Sequence, residues 1–352
     1  MKRTRQKKKS KESKPKREEQ RYETMKERTN ELTYHTRWIG SNLDIKRKRV
    51  GLRVATNNFQ RKLYATEENL IETIVQCEKI KIDILVGTEP GQGTLANRIR
   101  AKNTLRKYGY GLIVATRDES TIGGGIAVIL GPKWAKIPNT KNIYNPANRE
   151  LRGRAMAVVF NNQIPGAHNK IQIIAVHGLN AAETKVEDTI ALLTWVAKQK
   201  EEFKTENRMA TTVLLGDLNA TINTLLDTDR QEKEKREVDP EEEEKDAYVI
   251  KEIQKMGLTD IFRGRYPATE VTTRRSKDQT NRFLDKIMAT SEVAAHPDTE
   301  IAVYKEQFLI AGSDHKMIVA DLPIDTAGVA DERIAIWTKR KVVKWVKDCD
   351  EM

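Results

Sequence analysis

The stretch TTVLLGDLN (211–219) decides the fold: five β-branched or aliphatic residues, a glycine, then an acid and an amide two positions apart. An apolar run of this length, closed by a glycine, reads as a buried strand. Its last residues fall where a rigid scaffold hands polar side chains to a cleft. The same texture recurs on both sides of it, in LRVAT (52–56), IDILVGT (82–88), GIAVIL (125–130), AMAVVF (155–160), IQIIAVH (171–177), LDKIMAT (284–290) and HKMIVADL (315–322). Helical spacing is confined to a few segments. Leu70, Ile71, Ile74 and Val75 give one face to 67–77, and 190–203 is amphipathic. The mixed-charge run 228–246, around Pro240, reads as a solvated helix or loop. Strands outnumber helices, which predicts packed sheets with helices outside rather than a simple parallel β-α-β alternation.

Charge divides the chain. Of the formal +12, the first 21 residues carry +8, from eleven Lys or Arg against three Glu. Residues 1–50 are therefore expected to be a basic arm, a nuclear-import signal or a phosphate-binding extension. The sheet domain is expected over 51–325, itself only mildly basic. A basic helical tail containing Trp337 and Trp345 is expected over 326–352. The excess of positive charge favours an anionic partner. Cys77 and Cys349 lie far apart with no metal-ligand spacing, which fits a reducing compartment. The Lys-rich start has no apolar core of a secretory signal, and no apolar run is long enough to span a bilayer. A secreted protein and a membrane protein are both excluded as expectations.

Carboxylates and carboxamides recur where the strands run out. Asn57 follows LRVAT, Glu89 follows IDILVGT, Asp217 and Asn219 follow TTVLL, Asp285 opens LDKIMAT, and Asp314-His315 opens the last strand. Singly, each is an ordinary turn residue or surface charge. As an ordered set they supply the hard oxygen donors that magnesium takes, beside an imidazole for acid–base or phosphate-stabilising work.

With those residues in view, the chain resembles the exonuclease–endonuclease–phosphatase superfamily, through RVATNN (53–58), DILVGTE (83–89), GGGIAVIL (123–130), GRAMAVVF (153–160), AVHGLN (175–180), LLGDLNA (214–220), RFLDKIMAT (282–290) and GSDHKMIV (312–319). These occur in family order over roughly three quarters of the chain, and GDLN followed by SDH is the specific pair. The resemblance implies an α+β fold of four layers (DNase I-like), two packed mixed β-sheets flanked by helices. It implies Mg2+ as cofactor, with Mn2+ able to substitute, held by Glu89 with Asn57 and Asp314 nearby. By the same likeness Asp217 would orient or deprotonate the attacking water, and Asn219 would hold the scissile phosphate or that water. His315, oriented by Asp285, would neutralise a phosphate oxygen, while Asn180 and Arg154 would contact substrate.

Some positions depart from the family pattern. Thr56 stands where an aromatic is usual, Thr88 replaces a glutamine, and the late arginine is displaced to Arg282. His177 replaces a tyrosine and is taken as its catalytic counterpart; an imidazole there would make activity sensitive to pH near neutrality. None of these changes removes a metal or water-activating residue, so an active enzyme is expected.

The segment 257–273, with Asp260, Arg263, Pro267 and Thr272, is similar to retrotransposon endonucleases of the non-LTR type, although Val271 replaces their aromatic. Thr272 enters the substrate-binding set on that likeness, and the tail looks like their linker towards reverse transcriptase. The leading expectation is a monomeric, nuclear, DNA-nicking endonuclease leaving a 3′-hydroxyl, with reverse transcriptase or element RNA as further partners. An apurinic-site repair endonuclease or other phosphoesterase of the same fold, and a catalytically weak nucleic-acid-binding remnant, are the alternatives.

Overall fold

The computed structural model describes residues 20, 22–23, 38–41, 43, 51–115, 125–136, 141–148, 151–160, 170–179, 186–206, 211–223, 226–228, 240–274, 281–304 and 313–324. Asn180, the expected tail and most of the expected basic arm lie outside them.

In chain order the strands are β1 (Trp38–Gly40), β2 (Leu52–Asn58), β3 (Ile84–Thr88), β4 (Gly111–Ala115), β5 (Ile126–Leu130), β6 (Lys141–Tyr144), β7 (Ala155–Phe160), β8 (Ile171–His177), β9 (Thr211–Asp217), β10 (Leu258–Asp260), β11 (Asp285–Thr290), β12 (Glu300–Tyr304) and β13 (Ile318–Leu322). The helices are α1 (Glu67–Ile80), α2 (Leu95–Lys107), α3 (Pro132–Ala135), α4 (Val186–Glu206), α5 (Pro240–Lys255), α6 (Ile261–Arg265) and α7 (Ser291–Ala294). One sheet runs β1-β12-β13-β2-β3-β5-β4 and the other β10-β11-β9-β8-β7-β6. Both are mixed: β2 and β3 are parallel, as are β8 and β9, and their neighbours are antiparallel.

Period-two alternation separates three apolar layers. Leu52, Val54, Ile84 and Val86 of the first sheet meet Ile173, Ala175, Val213, Leu215 and Ile287 of the second in a central core. Ala55, Leu85, Ala127 and Ile129 face the other way, onto α1 and α2. Ile174, Val176, Leu214 and Met288 pack on α4 and α5. The result is helices, sheet, sheet, helices, the four-layer arrangement expected. Among the described residues no helix is long and apolar enough to cross a membrane.

Two sequence boundaries move. Trp38–Gly40, inside the stretch expected as an arm, adds β1 to the edge of β12, and Leu43 is buried. The three-residue run was too short to carry a periodic signal against its charged surroundings. The mixed-charge run around Pro240 becomes α5 from that proline onward, its Val249 and Ile253 packed into the third layer. Proline at a helix start is compatible with the missing N–H.

Candidate functional site

The apolar stripes of the central core end in polar residues at one edge of the sandwich. On β2 the inward positions read Leu52, Val54, Thr56, Asn58; on β3, Ile84, Val86, Thr88. On β8 they read Ile171, Ile173, Ala175, His177, and on β9 Val213, Leu215, Asp217. β11 runs the opposite way, so its inward stripe begins with Asp285 and continues at Ile287. Strand register then sets His177 beside Asp217, and Asp217 beside Asp285, in one row.

The same parity corrects the first asparagine. Asn57 shares the outward face with Ala55, and its amide donates to the main-chain oxygen of Asn58 at 3.0 Å. Asn58 faces the site instead: its Nδ2 donates to Oδ2 of Asp217 at 2.9 Å and to Oε1 of Glu89 at 3.3 Å. Counting alternate positions from Val54 would have found it.

Close approach of the two central strand ends depends on glycine. At Gly216, φ is +146° and a Cβ would lie 1.8 Å from the carbonyl oxygen of Val176; at Gly178 it would lie 2.0 Å from that of Leu218. Asn219 takes a left-handed φ of 48°, its N–H donates to Oδ1 of Asp217 at 2.9 Å, and its Nδ2 donates to Gly178 O at 2.9 Å. Asp217 is thereby fixed through both carboxylate oxygens.

Glu89 also sits in left-handed backbone, with φ of 47°, a conformation strained for a residue with a side chain. Burial pushes its carboxyl up. The hydrogen bond from His177, the Asn58 amide and Arg61 outweigh that and hold it down at about 2. His177 Nε2 lies 3.3 Å from Glu89 Oε1. Arg154 is buried behind His177, its Nη1 3.0 Å from Nδ1 and 3.2 Å from Gly178 O. A guanidinium only donates, so Nδ1 accepts and the ring proton on Nε2 points at Glu89. Arg154, expected on substrate, is thus placed against the His177 imidazole.

On the other side His315 Nδ1 stands 2.7 Å from Asp285 Oδ2. Burial favours the neutral imidazole, but Asp285, then Asp217 and Asp314, outweigh it and raise His315 to about 9. Ser313 Oγ donates to Asn58 O at 2.5 Å and accepts from the His315 N–H at 3.1 Å, tying the SDH turn to β2. Among the described residues nothing donates a hydrogen bond to Asp314 Oδ1, which lies 3.6 Å from His315 Nε2, while Arg274 Nε is 3.8 Å from Oδ2. Thr272 is half-buried and its carbonyl accepts from Lys316 Nζ at 3.0 Å. The next residue, Thr273, is fully buried, and its Oγ1 accepts from the N–H of Leu284 and of Asp285.

Asp260 and Arg263 belong to a buried charge network that had no sequence signal as a unit. Asp260 caps α6 through the Arg263 N–H at 2.9 Å. The Arg263 guanidinium binds Asp227 and the carbonyls of Thr269 and Tyr266. Lys286, fully buried over the Phe283 ring, lies 3.4 Å from Asp227 and 3.9 Å from Asp260. Asp227 also accepts from the N–H groups of Ile222 and Asn223. The network clamps the segment after GDLN to the strand that carries Asp285.

Among the described residues, Asp217, Asp285 and His315 each bring one potential ligand atom within 4.8 Å of the others. Two of these are engaged with each other in the His315–Asp285 bond. Glu89, held ionised, is the better hard-oxygen donor, and Oδ1 of Asp285 and of Asp314 are buried without a hydrogen-bond partner. The donor set fits a divalent cation.

No protein-family model matches the sequence, and no curated protein matches it. Solved structures do. A 3′ phosphatase, NExo, from Neisseria, bound to a product DNA hairpin, aligns with TM-score 0.58 at 17% identity, over 77% of this chain and 99% of that one. An AP endonuclease from Leishmania major aligns with TM-score 0.58 at 15% identity, over 78% and 88%. One from Archaeoglobus fulgidus aligns with TM-score 0.54 at 19% identity, over 76% and 98%. At these identities the likeness is one of fold.

Proposed function

We propose that this chain, which carries the DNase I-like fold of the exonuclease–endonuclease–phosphatase superfamily, is a divalent-metal-dependent phosphodiesterase that nicks DNA and leaves a 3′-hydroxyl. The observation that carries the reading is the convergence of Asn58, Glu89, Asp217 and the His315–Asp285 pair at one end of both sheets. Glu89 would hold the metal, Mg2+ with Mn2+ as substitute, which supplies charge neutralisation at the phosphoryl and leaving oxygens.

Asp217, aimed by Asn58 and the Asn219 N–H, orients a water and takes its proton as the water oxygen attacks phosphorus. The P–O3′ bond breaks on the opposite side, and the departing 3′-oxyanion takes a proton from solvent water to become the 3′-hydroxyl. His315, kept protonated through neutral pH by Asp285, donates a charged hydrogen bond to a non-bridging oxygen as negative charge builds there. Supercoiled plasmid incubated with protein and Mg2+ tests the reading. Conversion to open circles, lost in Asp217→Ala, is expected; equal conversion by both proteins overturns it.

The AP endonucleases among the structural relatives favour a second reading, cleavage at abasic sites. A duplex with one abasic analogue, cut much faster than intact plasmid, would select it. The segment with Asp260 and Arg263 supports the retrotransposon type, and with it nuclear residence and a reverse-transcriptase or element-RNA partner.

A further inference from the structure

Helix α2 starts six residues after Glu89 and carries Arg98, Arg100, Lys102, Arg106 and Lys107 with no acidic residue. The other long helices with described first turns behave differently: α1 opens with Glu67 and Glu68, and α4 with Glu187 and Asp188. Acids at a helix start complement its dipole, and cations in the first half oppose it. α2 buries Ala101, Thr104 and Leu105 on its inner side, Arg100 donates to the Tyr64 carbonyl and Lys107 pairs with Glu67, so packing leaves Lys102 and Arg106 unaccounted for.

The opposite side is a ridge. Leu95, Ile99, Lys102 and Arg106 are spaced four, three and four residues apart, so they form one stripe. All are exposed, Leu95 at 60% and Ile99 at 50%. Neither Lys102 nor Arg106 forms an ion pair with another described residue. The apolar pair lies at the site end. Thr88 of β3 pairs with Ile126, whereas Gly111, where β4 begins after α2, pairs with Leu130 at the far end of the sheet. α2 therefore runs from the pocket down the outer flank for about 20 Å, at ~1.5 Å per residue.

We infer that the exposed ridge of α2 is a nucleic-acid-backbone surface, holding the strand of DNA that leaves the pocket on the Glu89 side. Lys102 and Arg106 neutralise phosphates, and Leu95 and Ile99 pack against sugars or an opened base step. Its length matches roughly six nucleotides at about 3.4 Å each. DNA reaching it must bend towards the flank, so a gapped duplex, cheap to bend, gains more from α2 than an intact one. This inference rests on the proposed reading only in that DNA is the ligand of the site.

The test compares wild type with the Lys102→Ala/Arg106→Ala double variant, neither residue lying in the pocket. Binding of intact and gapped duplex is followed by anisotropy over a salt series in EDTA, and plasmid nicking is followed with Mg2+. The variant is expected to lower the log–log salt slope by about 2, near 1 per cation removed. KM should rise with kcat unchanged, and the charge-conserving Lys102→Arg/Arg106→Lys pair should restore both. Leu95→Ala/Ile99→Ala should weaken gapped-duplex binding with the slope intact. A slope that ignores Lys102 and Arg106, in a protein that nicks, overturns the α2 inference and leaves the enzyme reading standing. An α2-dependent slope without nicking supports the inference and overturns the enzyme reading. No DNA binding at all overturns both.

Discussion

The imidazole of His315 and the carboxylate of Asp285 lie 2.7 Å apart, both buried, with Thr273 fixing the backbone N–H of Asp285 from behind. The pair raises His315 to about 9, from an ordinary 6.5. Its imidazolium and the stability it confers are fully present below about 6.5 and are lost as pH rises through about 9. Activity should hold through neutral pH and fall on that alkaline side. In Asp285→Asn the fall should move to lower pH, and the rate should drop by about 10²–10⁴, the usual worth of such a group. Rate profiles, with histidine NMR titration of the metal-free proteins, check this.

Asn57→Ala and Asn58→Ala should part company. Asn58 holds both Glu89 and Asp217, so its loss should cost about 10–100-fold in metal affinity or turnover, as for other groups that orient metal ligands. Asn57 touches only the main chain and should keep turnover near wild type. Titration calorimetry with Mn2+ and plasmid nicking measure the two; equal losses would contradict the assigned faces.

Glu89 is held at about 2, below its ordinary 4.5, with His177 the largest contributor against burial. Its ionised form contributes stability above about 4.5 that disappears as pH falls through about 2. Replacing His177 with Phe should raise the Glu89 carboxyl and weaken metal binding at pH 5 more than at pH 8. Carboxyl-labelled NMR and metal titration at the two pH values read it out.

Gly216→Ala should destabilise by more than about 4 kcal/mol, in the range reserved for severe steric or strain defects. The new Cβ would meet Val176 O at 1.8 Å in backbone that side chains rarely adopt. Urea denaturation gives the figure.

Asp227→Asn removes the shared partner of Lys286 and Arg263. A buried charge left without its counterion costs about 3–5 kcal/mol, and the same denaturation experiment should show it.

The layers were readable because both sheets are built from alternating aliphatic runs long enough to declare a period. β9, β8 and β7 were found within a residue. β4, β6, β10 and β12 escaped, being short or bordered by charge, and α2 escaped because its inward face is only Ala101, Thr104 and Leu105. At the site, Glu89, Asp217, Asp285 and His315 were legible as acids and an imidazole at strand ends. Asn58 was masked by an identical neighbour that only strand parity separates. Thr273, eleven and twelve residues from the N–H groups it holds, and the Asp227–Lys286 contact, 59 residues apart, were not legible at all, since each depends on separate segments meeting in space.

Asn58, His177, Asp217 and Asp285 continue the same inward stripes that form the central core. Their amides should therefore exchange hydrogen only when the whole sandwich opens, while α2 and the loops exchange through local fraying. At those four positions the site and the core should loosen together. Substitutions on the outer flank can accumulate without disturbing those four positions, which are as constrained as the core they extend.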